Sequence, residues 1–316
     1  MREGVNQRFA RLENFLARNK IDAALITHPP NIRYFTQFSG EEGIFLAFPP
    51  GNILFVDPRY TLRARAECPG ITVKEAARPM DAVVRTLKER RCGRVGLETA
   101  HLTVDHFRQL RKTLRGVSVK SLRDQLDTLR IVKDLSEITN IEHAIEIHTR
   151  ALDETLAWVA PDVTERDWAI EFEYRAKRYG ASALSFETIV ASGPRSAIPH
   201  ATADPVPLAQ RAPIVFDHGV IYNGYCSDET ATFFTHSPGK AFREIYRIVR
   251  EAHDRAIAAI RPGVTAASID TVARKYIEAA GYGEAFTHST GHGVGLEIHE
   301  KHSRKAPYWL QGYDPT

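Results

Sequence analysis

The segment Pro213–Phe234 constrains the fold of this chain most, because its strand register can be worked out from the sequence. It consists of two apolar β runs joined by Asn223-Gly224. An Asn-Gly pair between such runs is the strongest short-range hairpin signal, because a type I′ turn needs positive φ at both central residues. The turn predicts that Tyr222 pairs with Tyr225.

The predicted register also places two carboxylates on one face of the hairpin. Asp217 lies opposite Thr230, and the alternation of side chains puts Asp228 on the same face. Asp228 is then the diagonal neighbour of Asp217, within about 7–8 Å before side-chain reach is counted. Two such carboxylates repel each other unless a cation lies between them, and a divalent metal is the simplest candidate. The alternative is a solvated pair on an exposed hairpin, which the apolar flanking runs disfavour.

Length and composition indicate an ordinary globular chain of about two domains. The 316 residues suggest domains of ~150 residues each. Hydrophobic residues make up 43% and charged residues 26%, which is typical of a soluble globular protein. With 42 basic and 39 acidic residues and no basic stripe, neither nucleic acid nor an anionic membrane is expected as a partner.

The cysteines and the N-terminus predict a cytoplasmic location. Cys68, Cys92 and Cys226 are odd in number and widely spaced, which supports neither a zinc ribbon nor a disulfide framework. The first 20 residues are charged throughout and have no apolar core of the signal-peptide type. No apolar run approaches the ~18 residues that a membrane helix needs. We therefore expect a soluble intracellular protein.

Residues 1–130 alternate between short apolar runs and amphipathic segments, which predicts a small mixed α/β domain. Helices are predicted at Val5–Arg18, Tyr60–Glu67, Met80–Glu89 and Val104–Leu114, and strands at Ile21–Thr27, Ile44–Phe48, Ile53–Val56, Ile71–Val73, Val95–Leu97 and Val117–Val119. Pro29 and Pro30 indicate a loop. His101 and His106 are interpreted as isolated surface or cap residues. The pattern changes near 129–134, where a second domain, 131–316, is predicted to begin with a long helix.

The second domain contains a near-repeat with an offset of 101 residues. A long helix, the tetrapeptide PDVT ending at Thr164, and a helix ending at Gly180 recur as a long helix, PGVT ending at Thr265, and a helix ending at Gly281. The threonines stand where N-caps belong and the glycines where helices terminate. The repeat predicts two similar halves that face each other, with a site between them.

Five side chains of the second domain are candidates for chemistry: His200, Asp217, Asp228, His292 and His299. One imidazole with carboxylates is a harder ligand set than that of structural zinc, and it suits catalytic Mn²⁺, Co²⁺, Fe²⁺ or Zn²⁺. Bridging carboxylates would hold two ions and a shared water whose pKa is lowered. His200 and His299, if they are not ligands, would donate hydrogen bonds to an oxyanion or shuttle protons. Each histidine alone is equally explained as structural, whereas the set indicates a site.

These motifs resemble those of the pita-bread metallopeptidases, specifically the Xaa-Pro dipeptidase (prolidase) and Xaa-Pro aminopeptidase branch. NIRYFTQFSG (31–40) and VDPRY (56–60) resemble a creatinase-type N-terminal domain. LRIVKDLSEI (129–138) resembles the entry into the catalytic domain of the family. SGPRSAIPH (192–200), the Asp hairpin and STGHGVGLEIHE (289–300) resemble its specific motifs. The resemblance covers nearly the whole chain.

The resemblance implies an α/β architecture in which a small mixed α/β domain precedes a pita-bread domain with a pseudo-two-fold repeat. Asp217, Asp228 and His292 would be metal ligands, with Asp228 bridging two divalent ions, Mn or Co or else Zn or Fe. His200 and His299 would contact the substrate and the transition state. The implied reaction is hydrolysis of the Xaa-Pro bond at the N-terminus of dipeptides or short peptides by a metal-bridged water. A homodimer is implied.

Three departures from the family pattern stand out. Ala231 replaces a usual Arg, and His218 follows the first Asp where an apolar residue is commoner. The family also supplies two later Glu ligands, whereas Glu300 and Asp314 are the only carboxylates after His299. We therefore expect the sequence to be part of a longer enzyme. If it is complete, a metal-poor and inactive relative is expected instead.

Two other functions are compatible with this pattern. The first is a non-catalytic pita-bread module that binds a peptide or a protein and has lost part of the metal site. The second is a creatinase-like amidine hydrolase that works without metal, against which the intact set of two Asp and one His argues. The native metal, the choice between dipeptidase and aminopeptidase, and the oligomeric state stay open at this point.

Overall fold

The computed structural model describes residues 2–158 and 162–300 of the chain. The chain divides into two compact units, with the division between Arg130 and Ile131. Within the described ranges, no helix combines the length and the apolar character needed to cross a membrane.

The first unit is built on a six-stranded mixed sheet. Its elements are α1 (Arg2–Arg18), β1 (Ala23–Ile26), α2 (Pro29–Thr36), β2 (Ile44–Ala47), β3 (Ile53–Val56), α3 (Thr61–Glu67), β4 (Thr72–Glu75), α4 (Pro79–Glu89), β5 (Arg94–Leu97), α5 (Val104–Thr113), β6 (Ser118–Ser121) and a 3₁₀ helix (Gln125–Arg130). The strand order is β4-β3-β2-β1-β5-β6. Strand β2 runs antiparallel to both of its neighbours, and the other pairs are parallel. The predicted mixed α/β architecture is confirmed.

The prediction of a loop at the Pro29-Pro30 pair is wrong, because helix α2 begins at Pro29. Proline is accepted in the first turn of a helix, where its missing N–H would have no intrahelical partner and its fixed φ suits the helix. The buried carboxylate of Glu98 accepts hydrogen bonds from the backbone N–H groups of Thr27 and His28 at 2.7 and 3.1 Å, which holds this helix start against β5.

The described part of the second unit contains two helix pairs and two three-stranded sheets. Its elements are α6 (Leu135–Ala157), α7 (Glu165–Arg178), β7 (Ala183–Leu184), β8 (Ile189–Ser192), β9 (Ile214–His218), β10 (Val220–Tyr222), β11 (Tyr225–Cys226), β12 (Glu229–Phe233), α8 (Lys240–Ala258) and α9 (Ala266–Ala279), with 3₁₀ helices at Gly193–Ala197 and Gly283–Ala285. The strand orders are β11-β10-β7 and β12-β9-β8, and all pairs are antiparallel. Helix α6 packs on α7, and α8 packs on α9.

The internal repeat is present in the helix termini. The Thr164 side chain caps α7 and the Thr265 side chain caps α9, each by accepting the backbone N–H three residues on. The two helices begin at residues 165 and 266, an offset of 101 residues. Gly180 and Gly281 follow the helices with φ of +106° and +87°, a conformation that glycine adopts without a Cβ clash. The predicted caps and terminal glycines are confirmed.

The predicted hairpin register is also confirmed, but its ladder is interrupted. Tyr222 pairs with Tyr225, and the turn residues Asn223 and Gly224 both have positive φ, +45° and +80°. Near Gly219 the chains approach so closely that a Cβ there would lie 2.1 Å from the Ser227 carbonyl oxygen. The hairpin therefore divides its strands between two sheets, β9 and β12 in one and β10 and β11 in the other.

Aromatic packing anchors the strand that carries the first candidate Asp. Phe216 on β9 is completely buried. Its ring stacks on Trp168 at 6.0 Å and meets Phe172 edge-on at 5.6 Å between centroids, both on α7. Because side chains alternate along a strand, burying Phe216 turns its neighbour Asp217 to the opposite face.

Candidate metal centre

Asp217 and Thr230 face each other across the β9–β12 pair, as the hairpin register predicts. The Thr230 hydroxyl donates a hydrogen bond to Oδ1 of Asp217 at 2.8 Å. Burial raises the pKa of the Asp217 carboxyl, and the negative charge of Asp228 raises it further, against lowering effects of the Thr230 bond and the His200 ring. Two carboxylates thus share a partly desolvated site, and a bound cation would relieve both costs.

His292 completes the set from a separate segment. Its Nε2 atom lies 3.1 Å from Oδ2 of Asp228, and its Nδ1 atom lies 3.0 Å from the Gly293 carbonyl oxygen. The carbonyl only accepts, so Nδ1 donates to it, and Nε2 is the ring nitrogen directed at the Asp228 carboxylate. A metal ion placed here would be bound by Nε2 and by the carboxylate oxygen. One imidazole and one carboxylate of the predicted set are therefore in contact, and the donor types of all three predicted ligands are those that a divalent metal binds.

The two other candidate histidines are related to this group in different ways. The His299 ring lies beside that of His292, with centroids 4.2 Å apart and planes tilted by 42°. The positive form of His200 acts on the Asp217 carboxyl, which places it within electrostatic reach. Both His200 and His299 are exposed, so an incoming molecule can contact their rings. All five candidate side chains belong to the second unit.

A hydrogen-bond network fixes the segment that carries His292. The backbone N–H and the hydroxyl of Thr290 donate to Asp270 Oδ1 at 2.9 and 2.8 Å. Arg274 binds the same carboxylate and donates to the carbonyl oxygens of Phe286 and His288. The Arg274 guanidinium is the largest cause that lowers the pKa of Asp270 to about 2. Helix α9 thus holds residues 286–290, the part of the loop that precedes His292.

The far end of that segment is tied down by Glu300. Its buried carboxylate accepts hydrogen bonds from Lys133 Nζ at 2.7 Å and from the Leu296 backbone N–H at 3.1 Å. The Cys226 N–H donates to the Gly295 carbonyl oxygen at 2.7 Å, which joins the loop to the hairpin. Asp314, the other late carboxylate considered above, lies outside the described residues.

The loop that carries His200 is held by a buried charge that sequence reasoning missed. The Glu165 carboxylate is completely buried and accepts hydrogen bonds from the Ser192 N–H at 2.7 Å, the Ser192 hydroxyl at 2.9 Å and Arg195 Nε at 3.0 Å. Arg195 also contacts Asp204 Oδ2 at 2.8 Å. These contacts fix Ser192 and Arg195 before His200 and Asp204 after it. Arg195, the cation within SGPRSAIPH, is the sequence feature from which a carboxylate partner could have been predicted.

His218 occupies its unusual position as a neutral, apolar-like side chain. It is completely buried, and its ring contacts Phe172, Phe216 and His148 at centroid distances of 4.8, 5.3 and 5.0 Å. Burial lowers the pKa of His218 to about 4. Neither ring nitrogen has a hydrogen-bond partner among the described residues. It therefore packs where an apolar residue would, on the side of the strand opposite Asp217.

A second histidine cluster lies in the first unit and corrects the interpretation of His101 as isolated. His101 Nε2 lies 3.3 Å from Asp127 Oδ2, and the His101 and His28 rings stack with centroids 3.6 Å apart and planes at 5°. The candidate ligand atoms of the three residues lie within 4.8 Å of one another. Imidazole lone pairs lie in the ring plane, so parallel stacked rings do not direct both nitrogens at one ion. We assign no metal to this cluster.

Comparison with known proteins identifies the class that these features define. Residues 139–315 match the model of metallopeptidase family M24, and residues 8–132 match the creatinase/prolidase N-terminal domain. The match to the family covers more than half of the chain. This protein belongs to metallopeptidase family M24.

Individual relatives are similar over nearly the full chain. A Xaa-Pro dipeptidase from Pyrococcus horikoshii is 34% identical over 296 residues, which cover 94% of this chain and 83% of that protein. The structure of a Xaa-Pro dipeptidase from Bacillus anthracis superposes with a TM-score of 0.91 at 32% identity, covering 96% of this chain and 86% of the other. An X-Pro aminopeptidase from Thermotoga maritima gives 0.86 at 34% identity, covering 94% and 85%. The predicted fold class, a mixed α/β domain followed by a pita-bread domain, is confirmed.

Proposed function

We propose that this protein is a metal-dependent Xaa-Pro peptidase, which hydrolyses the bond before proline at the N-terminus of dipeptides or short peptides. The observation that carries the proposal is the 3.1 Å approach of His292 Nε2 to Asp228 Oδ2, with the Asp217 carboxylate on the same hairpin face. Relatives named Xaa-Pro dipeptidase and prolidase support the substrate class.

Each of the five residues has a role in this proposal. Asp217, Asp228 and His292 would hold two divalent ions, with Asp228 shared between them. When bound, such ions polarise a carbonyl and lower the pKa of a coordinated water. His200 and His299 are exposed, and their ring N–H groups would donate to the substrate carbonyl oxygen and hold a proton for the leaving prolyl nitrogen.

The ligand chemistry favours Mn²⁺ or Co²⁺ over structural zinc, because oxygen donors outnumber the single imidazole.

We also propose that residues 1–130 and 131–316 are the two domains, as the division into compact units supports. Three unpaired, buried cysteines support a reducing, cytoplasmic location. We propose a homodimer, with no nucleic-acid or membrane partner, as the resemblance and the balanced charge support.

The non-catalytic binding module is the weaker alternative, because the chain belongs to a metallopeptidase family and its candidate ligands lie together. The metal-free amidine hydrolase is weaker for the same reason, since it has no use for this ligand set.

The test is proline release from Ala-Pro by the chelator-treated chain, before and after addition of Mn²⁺ or Co²⁺. Ala-Ala serves as the matched dipeptide without proline, and Asp228→Asn as the variant without the shared carboxylate. We expect metal-dependent hydrolysis of Ala-Pro only, and its loss in the variant. Stoichiometric metal binding with no hydrolysis of Ala-Pro or of longer Xaa-Pro peptides would reject the proposal.

A further inference from the structure

One buried histidine is within hydrogen-bonding distance of the residues on both sides of Asp228. His148 lies on α6, is 1% exposed, and was not singled out by any sequence motif. Its Nδ1 atom lies 2.7 Å from Ser227 Oγ, and its Nε2 atom lies 2.8 Å from Glu229 Oε2. Ser227 and Glu229 are the residues immediately before and after Asp228. A single side chain from a long helix therefore contacts both neighbours of the shared candidate ligand.

The hydrogen-bond directions in this network are mutually consistent. The Glu229 carboxylate accepts, so Nε2 of His148 donates to it. Nδ1 then accepts from the Ser227 hydroxyl, whose oxygen in turn accepts the Val220 N–H at 3.1 Å. His148 and Ser227 are buried, so removing the imidazole leaves the Ser227 hydroxyl buried without this partner, whereas the Glu229 carboxylate is half exposed and can turn to water.

The order hydroxyl, imidazole, carboxylate is also that of an activated nucleophile, but Ser227 does not act as one. Ser227 is 1% exposed, so no substrate carbonyl can reach its hydroxyl. Its oxygen is already engaged by the Val220 backbone from the opposite strand. The network can therefore hold the chain in place but cannot attack a substrate.

The position of Asp228 explains why these two hydrogen bonds matter. Strand β11 ends at Cys226 and β12 begins at Glu229, so Asp228 lies in the gap where the hairpin passes from one sheet to the other. Regular ladder pairing resumes only with Glu229 opposite His218. The direction of the Asp228 side chain consequently depends on what fixes Ser227 and Glu229.

We propose that His148 is a positioning residue for the metal centre, which holds Asp228 in its ligand orientation through Ser227 and Glu229. The proposal rests on the metal site proposed above. The perpendicular packing of the His148 ring against His218, the neighbour of Asp217, puts the same helix behind both candidate carboxylates.

The two nitrogens of His148 can be tested separately. His148→Asn keeps an amide near the Nδ1 position, whose oxygen can accept from Ser227, His148→Gln keeps an amide near the Nε2 position, whose nitrogen can donate to Glu229, and His148→Leu removes both groups. His143→Asn is the matched control, because His143 is on the same helix but is exposed and contacts only Glu146 and Tyr222 among the described partners. The readouts are the Kd for Mn²⁺ by calorimetry of the chelator-treated full chain, the visible spectrum of bound Co²⁺, and the melting temperature without metal.

We expect His148→Leu to weaken Mn²⁺ binding by about 10- to 100-fold, the usual effect of losing a group that orients a ligand. Each amide variant should recover part of that loss, and the Co²⁺ spectrum of His148→Leu should change. His143→Asn should match the unchanged chain. A lower melting temperature in His148→Leu with unchanged metal affinity and spectrum would show a purely structural role and overturn the inference.

Two further variants cover the case in which His148→Leu does not fold. Ser227→Ala and Glu229→Ala each remove one partner and leave His148 in place. If both bind Mn²⁺ as the unchanged chain does, the inference is wrong. An unchanged chain that binds no Mn²⁺ would instead remove the proposed function, and this inference with it, so the two failures are distinguishable.

Discussion

Nε of Arg195 lies 3.0 Å from Oε2 of Glu165, whose side chain is completely shielded from solvent. A buried carboxylate without its cation costs several kcal/mol, so the pair is held together by the cost of separating it. Because Arg195 and Ser192 precede His200 and Asp204 follows it, the same pair sets the path of the loop that carries this histidine.

Replacing Arg195 with Met should therefore destabilise the protein by about 2–3 kcal/mol, below the cost for a fully buried pair because Arg195 is partly exposed. Catalytic turnover should fall more than the KM rises, since His200 is displaced. Urea unfolding and steady-state kinetics measure the two effects. Arg178→Met, at an exposed position of α7, is the control and should change neither. Unchanged turnover in Arg195→Met would contradict the role given to this loop.

Metal should stabilise the folded chain through the candidate ligands. A ligand that binds only the native state raises the free energy of unfolding by about 2.7 kcal/mol at 100 times its Kd. We expect the melting temperature of the chelator-treated chain to rise on titration with Mn²⁺, and this rise to be absent in Asp228→Asn. Asp254→Asn, at an exposed carboxylate of α8, should retain the rise. An equal rise in all three proteins would place the metal elsewhere.

The Asp270–Arg274 pair predicts a pH-dependent contribution to stability. The Arg274 hydrogen bond is the main cause that lowers the pKa of Asp270 from 3.8 to about 2. A carboxyl with a depressed pKa stabilises the fold above its unfolded value and loses that contribution as pH falls through the folded value. Asp270→Asn should thus lower the melting temperature at pH 6, and the difference from the unchanged chain should shrink between pH 4 and pH 2.

Thermal melts at half-unit pH steps measure that difference. Asp254→Asn, at an exposed carboxylate, is again the control and should change the melting temperature little. A constant deficit for Asp270→Asn down to pH 2 would show that Asp270 acts through packing instead of through its charge.

Gly219 should tolerate no side chain. A Cβ at this position would lie 2.1 Å from the Ser227 carbonyl oxygen, and backbone cannot move away as a flexible side chain can. Gly219→Ala should separate the hairpin strands, lower the stability by about 1–3 kcal/mol and weaken metal binding, because Asp217 and Asp228 lie on either side of the contact. Gly239→Ala, where a Cβ meets nothing within 4 Å, should cost no more than about 1 kcal/mol at a helix N-cap. Calorimetric Mn²⁺ titration and urea unfolding distinguish the two.

Local chemistry explains which parts of the fold were predictable. The Asn223-Gly224 turn fixed the register down to the pairing of Asp217 with Thr230, because turn geometry and the period of two leave no freedom. The caps at Thr164 and Thr265 follow from short-range hydrogen bonds in the same way.

What could not be predicted depends on residues distant in sequence. No local rule places His148 against Ser227 and Glu229, which are separated from it by 79 and 81 positions. The interruption of the hairpin at Gly219 has a different cause, since it arises from the close approach of the Gly219 backbone to Ser227 within the hairpin itself. The start of α2 is different, because it has a local signal. Proline is typical of a first helical turn as well as of a loop, and the prediction at Pro29-Pro30 considered only the loop.

The bond between Lys133 and Glu300 joins positions 167 residues apart. Closing a loop of that length is entropically costly until the intervening helices and strands have already brought its ends together. During synthesis, therefore, the hairpin carboxylates are made long before the segment that carries His292 and His299 can be secured beside them. The order of translation keeps His292 from joining Asp217 and Asp228 until helices α8 and α9, which lie between them in the sequence, have been produced.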